Sequence, residues 1–275
     1  MSQFSSLFST DKSLVMGVLN TTPDSFSDGG RFVGVEAALS QALKMHREGA
    51  VIIDVGGEST RPGAKSVSIT DEMNRVIPVI KAIREQSDVL ISIDTSKPEV
   101  MSAAVNAGAN IINDVNGLRA DGALDVCAQL NIPVCVMHMQ GEPRTMQAEP
   151  VYVDVVDDIK RFFEARIEAC VKAGIRDENI ILDPGFGFGK TLEHNLQLLK
   201  RLNEFKDFGL PVLVGLSRKS MLGKILNESE PENRVYASVA AAVLSRMNGA
   251  GIFRVHDVKA TVDALKVCDA LNGVQ

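Results

Sequence analysis

Asn179-Ile-Ile-Leu-Asp-Pro-Gly-Phe-Gly-Phe-Gly-Lys190 opens on an uncharged aliphatic run, closes that run on Asp183, and passes into a loop held by Pro184 and three glycines. Aliphatic residues without charge suit a strand buried on both faces, so a carboxylate is predicted at the carboxyl end of a buried strand. The same grammar recurs at Leu14–Asn20, Val51–Asp54, Val89–Asp94, Asn110–Asn113, Pro133–His138, Pro211–Ser217 and Gly251–His256. Helical stretches separate these runs, and four helix-to-strand joints read alike: Gly49-Ala50, Gly108-Ala109, Gly174-Ile175 and Gly249-Ala250. Strict alternation predicts parallel right-handed βα units, and eight of them predict an α/β fold, a single-domain (β/α)8 TIM barrel, over residues 14–275. Residues 1–13 read as an N-terminal tail. In such a barrel the strand carboxyl ends share one active site.

Composition agrees with one large core. The chain has 275 residues, of which 45% are apolar, and a formal charge of −6, a size that one α/β barrel accommodates. The acidic balance, with pI near 5.3, argues against a nucleic-acid surface, so an anionic ligand needs a locally basic site or a metal. Cysteines 127, 135, 170 and 268 lack Cys-x-x-Cys spacing and read as reduced thiols of a cytoplasmic protein. The most apolar helical stretch, Val235 to Leu244, is too short to span a bilayer, and no signal segment is read, so neither membrane nor nucleic acid is expected as a partner.

In chain order, apolar spacing predicts a helix over 35–48, with His46 packed on its inner face. Further helices are predicted over 70–86 with Thr70 as cap, from Pro98 to a stop at Gly108, over 122–130, and over 153–172 before Gly174. Two glycine-bearing loops, 21–34 and 56–68, follow adjacent strands and carry few apolar anchors, so they are expected to order with ligand.

Several constellations carry chemistry. Gly185-Phe-Gly-Phe-Gly189-Lys190-Thr191 resembles a phosphate loop, but that motif needs four residues between its first glycine and Gly189-Lys190, and the required position holds Pro184, so an NTPase reading fails by one residue. Asp94, Asn113 and Asp183 close strands 3, 4 and 6; singly each suits a cap, and together they suit the amidine-like edge of a flat heterocycle, because a carboxylate accepts two N–H bonds side by side. Leu216-Ser-Arg-Lys-Ser220 and Arg254-Val-His-Asp257 follow the last two strands, a common phosphate site in this fold. Lys219 as a Schiff-base nucleophile is the rival reading, although it lies past the apolar run. His138 has no second histidine at metal-ligand spacing, which disfavours zinc.

Eight motifs in order then resemble the bacterial dihydropteroate synthase family across nearly the whole chain: Asn20–Gly30, Ile53–Gly63, Ile93–Ser96, Ile112–Asp114, Met137–Gly141, Asp183–Lys190, Gly215–Ser220 and Arg254–Asp257. The departures are small, Thr21 where valine is commoner and Asn116 where serine is. The resemblance implies a transferase joining (7,8-dihydropterin-6-yl)methyl diphosphate to 4-aminobenzoate with release of diphosphate. It implies that Asp94, Asn113 and Asp183 hold the pterin edge, Lys219 its carbonyl side, and that Arg254 lies over the ring and touches diphosphate. Asn20, Arg61 and His256 are implied for the diphosphate, with Mg²⁺ at Asn20, and Thr60, Pro62 and Ser217 for the aminobenzoate; Phe188 joins the substrate-binding set. Lys219, Arg254, His256 and Arg61 form the implied catalytic group, and a homodimer packed through the Ala-rich helix at 236–248 is the implied assembly. A pterin-binding methyltransferase domain and a non-catalytic pterin-binding protein are the alternatives.

Overall fold

A computed structural model describes residues 12–21, 30–59, 66–141 and 150–274. Residues 1–11 of the expected tail and the middle of both glycine-bearing loops, with Thr60, Arg61 and Pro62, lie outside the described residues, whereas Ser13 is bonded to Asp269 through both its amide and its hydroxyl at 2.8 Å. Eight strands alternate with helices: β1 (Leu14–Asn20), α1 (Gly30–Arg47), β2 (Ile52–Gly56), α2 (Ile69–Gln86), β3 (Leu90–Asp94), α3 (Pro98–Asn106), β4 (Ile111–Asp114), α4 (Ala123–Leu130), β5 (Val134–Met137), α5 (Val155–Ala173), β6 (Ile180–Asp183), α6 (Leu192–Lys200), β7 (Leu213–Val214), α7 (Ser220–Leu226), α8 (Val235–Met247), β8 (Ile252–Val255) and α9 (Val258–Asn272). The strands form one parallel sheet in the order β6-β5-β4-β3-β2-β1-β8-β7. A bridge between Leu182 and Val212 brings its two ends together, so the sheet is a nearly closed barrel.

The strands bury both faces, and alternation sorts their side chains. Outward residues such as Ile53, Ile91, Ile112, Val134, Leu182 and Phe253 join the large core under the helices. Inward residues Met16, Ile52, Ile111, Ile181, Leu213 and Ile252 form a separate apolar plug inside the barrel. The plug closes the barrel below, so polar inward residues can meet only near the strand carboxyl ends.

The four glycine joints share one geometry. Gly49, Gly108, Gly174 and Gly249 have φ between +98° and +118°, and the following amides, those of Ala50, Ala109, Ile175 and Ala250, reach back to carbonyls five residues earlier at 2.9–3.0 Å. This left-handed helix stop favours glycine because a Cβ is strained there, and it turns each helix directly into the next strand.

Some boundaries differ from expectation. Ser68, not Thr70, caps α2: its Oγ accepts from Asp71 N at 3.1 Å, the bond a cap makes to the third helical amide. Helix α1 starts at Gly30, five residues earlier than apolar spacing indicates. Strand β7 is only two residues long; Leu216 already accepts from Lys219 N at 3.2 Å in a turn, so Ser217 lies in the loop and not on the strand. Among the described residues all four cysteines are free, and no helix is long and apolar enough to cross a membrane.

Candidate active site

The polar floor stands one pleat above the apolar plug. Two residues after Ile52, Ile111, Ile181 and Ile252 come Asp54, Asn113, Asp183 and Arg254, and a period of two keeps them on the same inner face. Asp94 ends β3 beside Asn113 in the sheet register. Arg254 binds two carboxylates, Asp54 Oδ2 through Nε at 2.6 Å and Asp94 Oδ2 through Nη2 at 2.7 Å. Asn113 Nδ2 donates to the same Asp54 oxygen at 3.1 Å. Asp183 Oδ1 accepts from Gly185 N at 2.8 Å. Asp94, Asn113 and Asp183 are all buried.

Burial dominates the electrostatics of this floor. It pushes the Asp94 carboxyl up to about 7 against the pull of Arg254, and it raises Asp183 against its bond from Gly185 N. Desolvation lowers the Lys219 ammonium to about 8, opposed by Asp183. Burial also works against Arg254, but Asp54 and Asp94 more than offset it and hold the guanidinium above its ordinary value. A surplus of acceptors over donors is what a flat, N–H-rich ligand edge requires.

The Asp183–Lys190 loop forms one wall. Gly185, Gly187 and Gly189 have φ of +70°, +79° and +59°, and a Cβ on Gly185 would lie 1.8 Å from the His138 carbonyl oxygen. Lys190 turns inward and donates to Gly185 O at 2.8 Å and Phe188 O at 3.1 Å, with His138 Nδ1 3.0 Å away. The Gly-Lys-Thr echo is thus an internal strut, and its lysine faces its own loop instead of a phosphate. Burial and Lys190 lower His138 to about 2, so it is a neutral packing residue. Lys219 Nζ donates to Phe186 O and lies 4.2 Å from the Phe188 ring centroid, which joins Phe188 to this wall.

The basic segments after β7 and β8 divide. Arg218 turns away to make a two-point ion pair with Asp257 at 2.6 and 3.0 Å, so only Lys219 of the Arg218-Lys219 pair faces the floor. Ser217 Oγ accepts from His256 N and lies 3.1 Å from its Nδ1, which brings these two predicted residues together. Asn20 is exposed at the end of β1, paired in register with Gly56. Beyond β2, Glu58 accepts from Val67 N at 3.0 Å and from Lys97, and Lys97 also pairs with the buried Glu72. This cluster ties the described ends of the segment bearing Thr60, Arg61 and Pro62. Among the described residues no group of three or more His, Cys, Asp or Glu forms a metal cage.

Asp54 closes one of the runs read from the sequence, but it is given no role in the site there. Its signal lies in the pleat: it follows Ile52 as Asn113 follows Ile111 and Asp183 follows Ile181.

An α/β barrel with an acceptor-rich floor above an apolar plug defines a class of enzyme that holds a flat heterocycle by its edge, and residues 16–256 match the family described as pterin binding enzyme. Dihydropteroate synthase of Escherichia coli strain K12 is 55% identical over 256 residues, 93% of this chain and 90% of that one. A crystal structure of Yersinia pestis dihydropteroate synthase with a sulfonamide drug complex superposes with a TM-score of 0.91 at 52% identity, covering 96% of this chain and 95% of the other. The Xanthomonas albilineans dihydropteroate synthase with 4-aminobenzoic acid matches equally, with a TM-score of 0.91, 50% identity and the same coverage. The chain belongs to the pterin-binding enzyme family and, within it, to the dihydropteroate synthases.

Proposed function

We propose that this protein condenses (7,8-dihydropterin-6-yl)methyl diphosphate with 4-aminobenzoate, releasing diphosphate and 7,8-dihydropteroate. The observation that carries the reading is the convergence of Asp94, Asn113, Asp183, Lys219 and Arg254 on one floor within a chain of this family. Carboxylate and carboxamide oxygens accept the N–H groups of the pterin edge, and Lys219 donates to the pterin carbonyl. Arg254, with Arg61, provides positive charge where the diphosphate departs, His256 serves the same group as a hydrogen-bonding partner, and Thr60, Pro62 and Ser217 border the aromatic amine. The electron-rich pterin stabilises positive charge on its exocyclic carbon, the amine nitrogen attacks that carbon, and the carbon–oxygen bond to diphosphate breaks. The amine loses its proton to solvent, so no covalent enzyme intermediate is formed.

Mg²⁺ fits the residues present. It keeps several waters and binds largely through substrate phosphates rather than in an all-protein cage, and the side chain of Asn20, exposed at the end of β1, offers it a hard oxygen. Asn20 would hold it, and the ion supplies neutralisation of the departing diphosphate charge.

A homodimer is supported by an apolar stripe. Tyr236, Leu244 and Met247 on α8 and Val267 and Leu271 on α9 are exposed, and α8 and α9 pack side by side.

Turnover is the test. The protein, supplied with the dihydropterin diphosphate, 4-aminobenzoate and Mg²⁺, is expected to form dihydropteroate and diphosphate in equal amounts. Pterin binding without diphosphate release would instead identify a silent pterin-binding protein, and methyl transfer to or from a bound pterin would identify the methyltransferase reading.

A further inference from the structure

We propose that Asp54 is a positioning residue that fixes which end of the Asn113 carboxamide meets the ligand. The inference rests on the pterin reading of this floor and deepens it. Asp54 Oδ2 accepts from Arg254 Nε at 2.6 Å, and Asn113 turns its Nδ2 toward that same acceptor at 3.1 Å. Oδ1 of Asn113 then faces away from Asp54 and takes no hydrogen bond among the described residues, which leaves it as an acceptor for the ligand.

The same Asp54 oxygen holds Arg254 Nε at 2.6 Å. Arg254 therefore keeps an anionic partner when a ligand N–H competes for Asp94, its other carboxylate at 2.7 Å. Asp54 is buried completely, so it acts on the ligand through Asn113 and Arg254. Its other oxygen, Oδ1, is buried without a hydrogen-bond partner among the described residues. Such a group costs stability, and its presence here agrees with a requirement for a carboxylate at this point beyond packing.

Without Asp54, the Asn113 carboxamide can turn over and offer N–H where an acceptor is needed. The effect is selective, because it penalises a ligand edge that donates and spares one that accepts. Pterin and pteridin-4(3H)-one, flat rings that differ only in the 2-amino group, report it by calorimetric titration. Wild type is expected to prefer pterin. Asp54→Ala is expected to lower pterin affinity about tenfold or more and to narrow the ratio of pterin to pteridin-4(3H)-one affinity at least about fivefold, on the scale of one misdirected buried hydrogen bond. Asp54→Asn keeps an oxygen for both Asn113 Nδ2 and Arg254 Nε, so it is expected to hold the ratio within about threefold of wild type. A merely structural role lowers both affinities together and leaves the ratio alone.

If Asp54→Ala does not fold, Asp54→Ser, too short to reach Asn113, carries the same expectation. An unchanged ratio in a folded Ala or Ser variant, or a lost preference in Asp54→Asn, overturns the inference while the pterin reading stands. Failure of wild type to bind pterin overturns both.

Discussion

Asp183 commits one oxygen to Gly185 N at 2.8 Å, and its other oxygen takes no hydrogen bond among the described residues. Replacing that acceptor with an amide puts a donor opposite a ligand N–H, a mismatch of about 1–3 kcal/mol in a buried site. Asp183→Asn is therefore expected to weaken pterin binding by about tenfold or more at unchanged fold, read by calorimetry; affinity within twofold of wild type removes Asp183 from the pterin edge. Asp94 makes binding depend on pH. In the ligand-free protein it holds a proton below about 7 because it is desolvated, whereas an N–H-donating ligand needs it ionised. Binding below that value expels the proton, so pterin affinity should rise with pH toward about 7 and level off. Asp94→Asn should lose this acid limb together with much of the affinity, and a limb that survives in the variant belongs to another group.

At the level of elements, the turn from Asp183 to Lys190 forms the wall against which Lys219 is held. Lys190 holds the turn by donating to Gly185 O and Phe188 O, and Tyr152 adds a hydroxyl bond to Gly189 O at 2.7 Å. Gly185 has both a left-handed φ and a backbone oxygen at 1.8 Å from any added Cβ, so an alanine there must move the loop. Gly185→Ala is expected to cost about 2 kcal/mol or more of stability, from left-handed strain and the clash together, and to loosen Lys219, which is bonded to the same loop. Urea unfolding and pterin titration read the two effects; a variant of wild-type stability shows that the loop can relax without loss. Helix starts show why element ends are harder to read than element existence. Ser68 and Thr70 both carry a cap hydroxyl three residues before a backbone amide it could reach, and it is the extended backbone at Ser68 (φ −65°, ψ 155°), with Thr70 already inside the helix, that decides between them.

On the scale of the whole molecule, the exposed stripe on α8 repeats at helical spacing: Tyr236, Ala240, Leu244 and Met247 are all apolar and exposed. Burial of such a stripe favours association through the hydrophobic effect. Sedimentation is expected to give a dimer, and Tyr236→Glu with Met247→Glu to shift it toward monomer without loss of helix content. A wild-type monomer at micromolar concentration rules out this face as the dimer contact.

The sequence by itself determined the alternation of buried strands and helices, and with it the barrel, because aliphatic runs between glycine stops leave the backbone few alternatives. It also marked Asp94, Asn113 and Asp183, since each interrupts an apolar run where a charge or amide has no packing use. Only the tertiary structure decided which polar groups meet. Arg254 and Asp54 are 200 residues apart in sequence, and barrel closure sets them side by side beside Asn113. Arg218 and Lys219 are neighbours in sequence, yet a left-handed backbone at Arg218, φ +58°, sends one to Asp257 and the other to the floor. Lys190 is drawn to carbonyls that its own loop exposes, which spacing alone cannot indicate. Strand order and backbone turns choose a side chain's partners, and these long-range choices carry no local pattern in the chain.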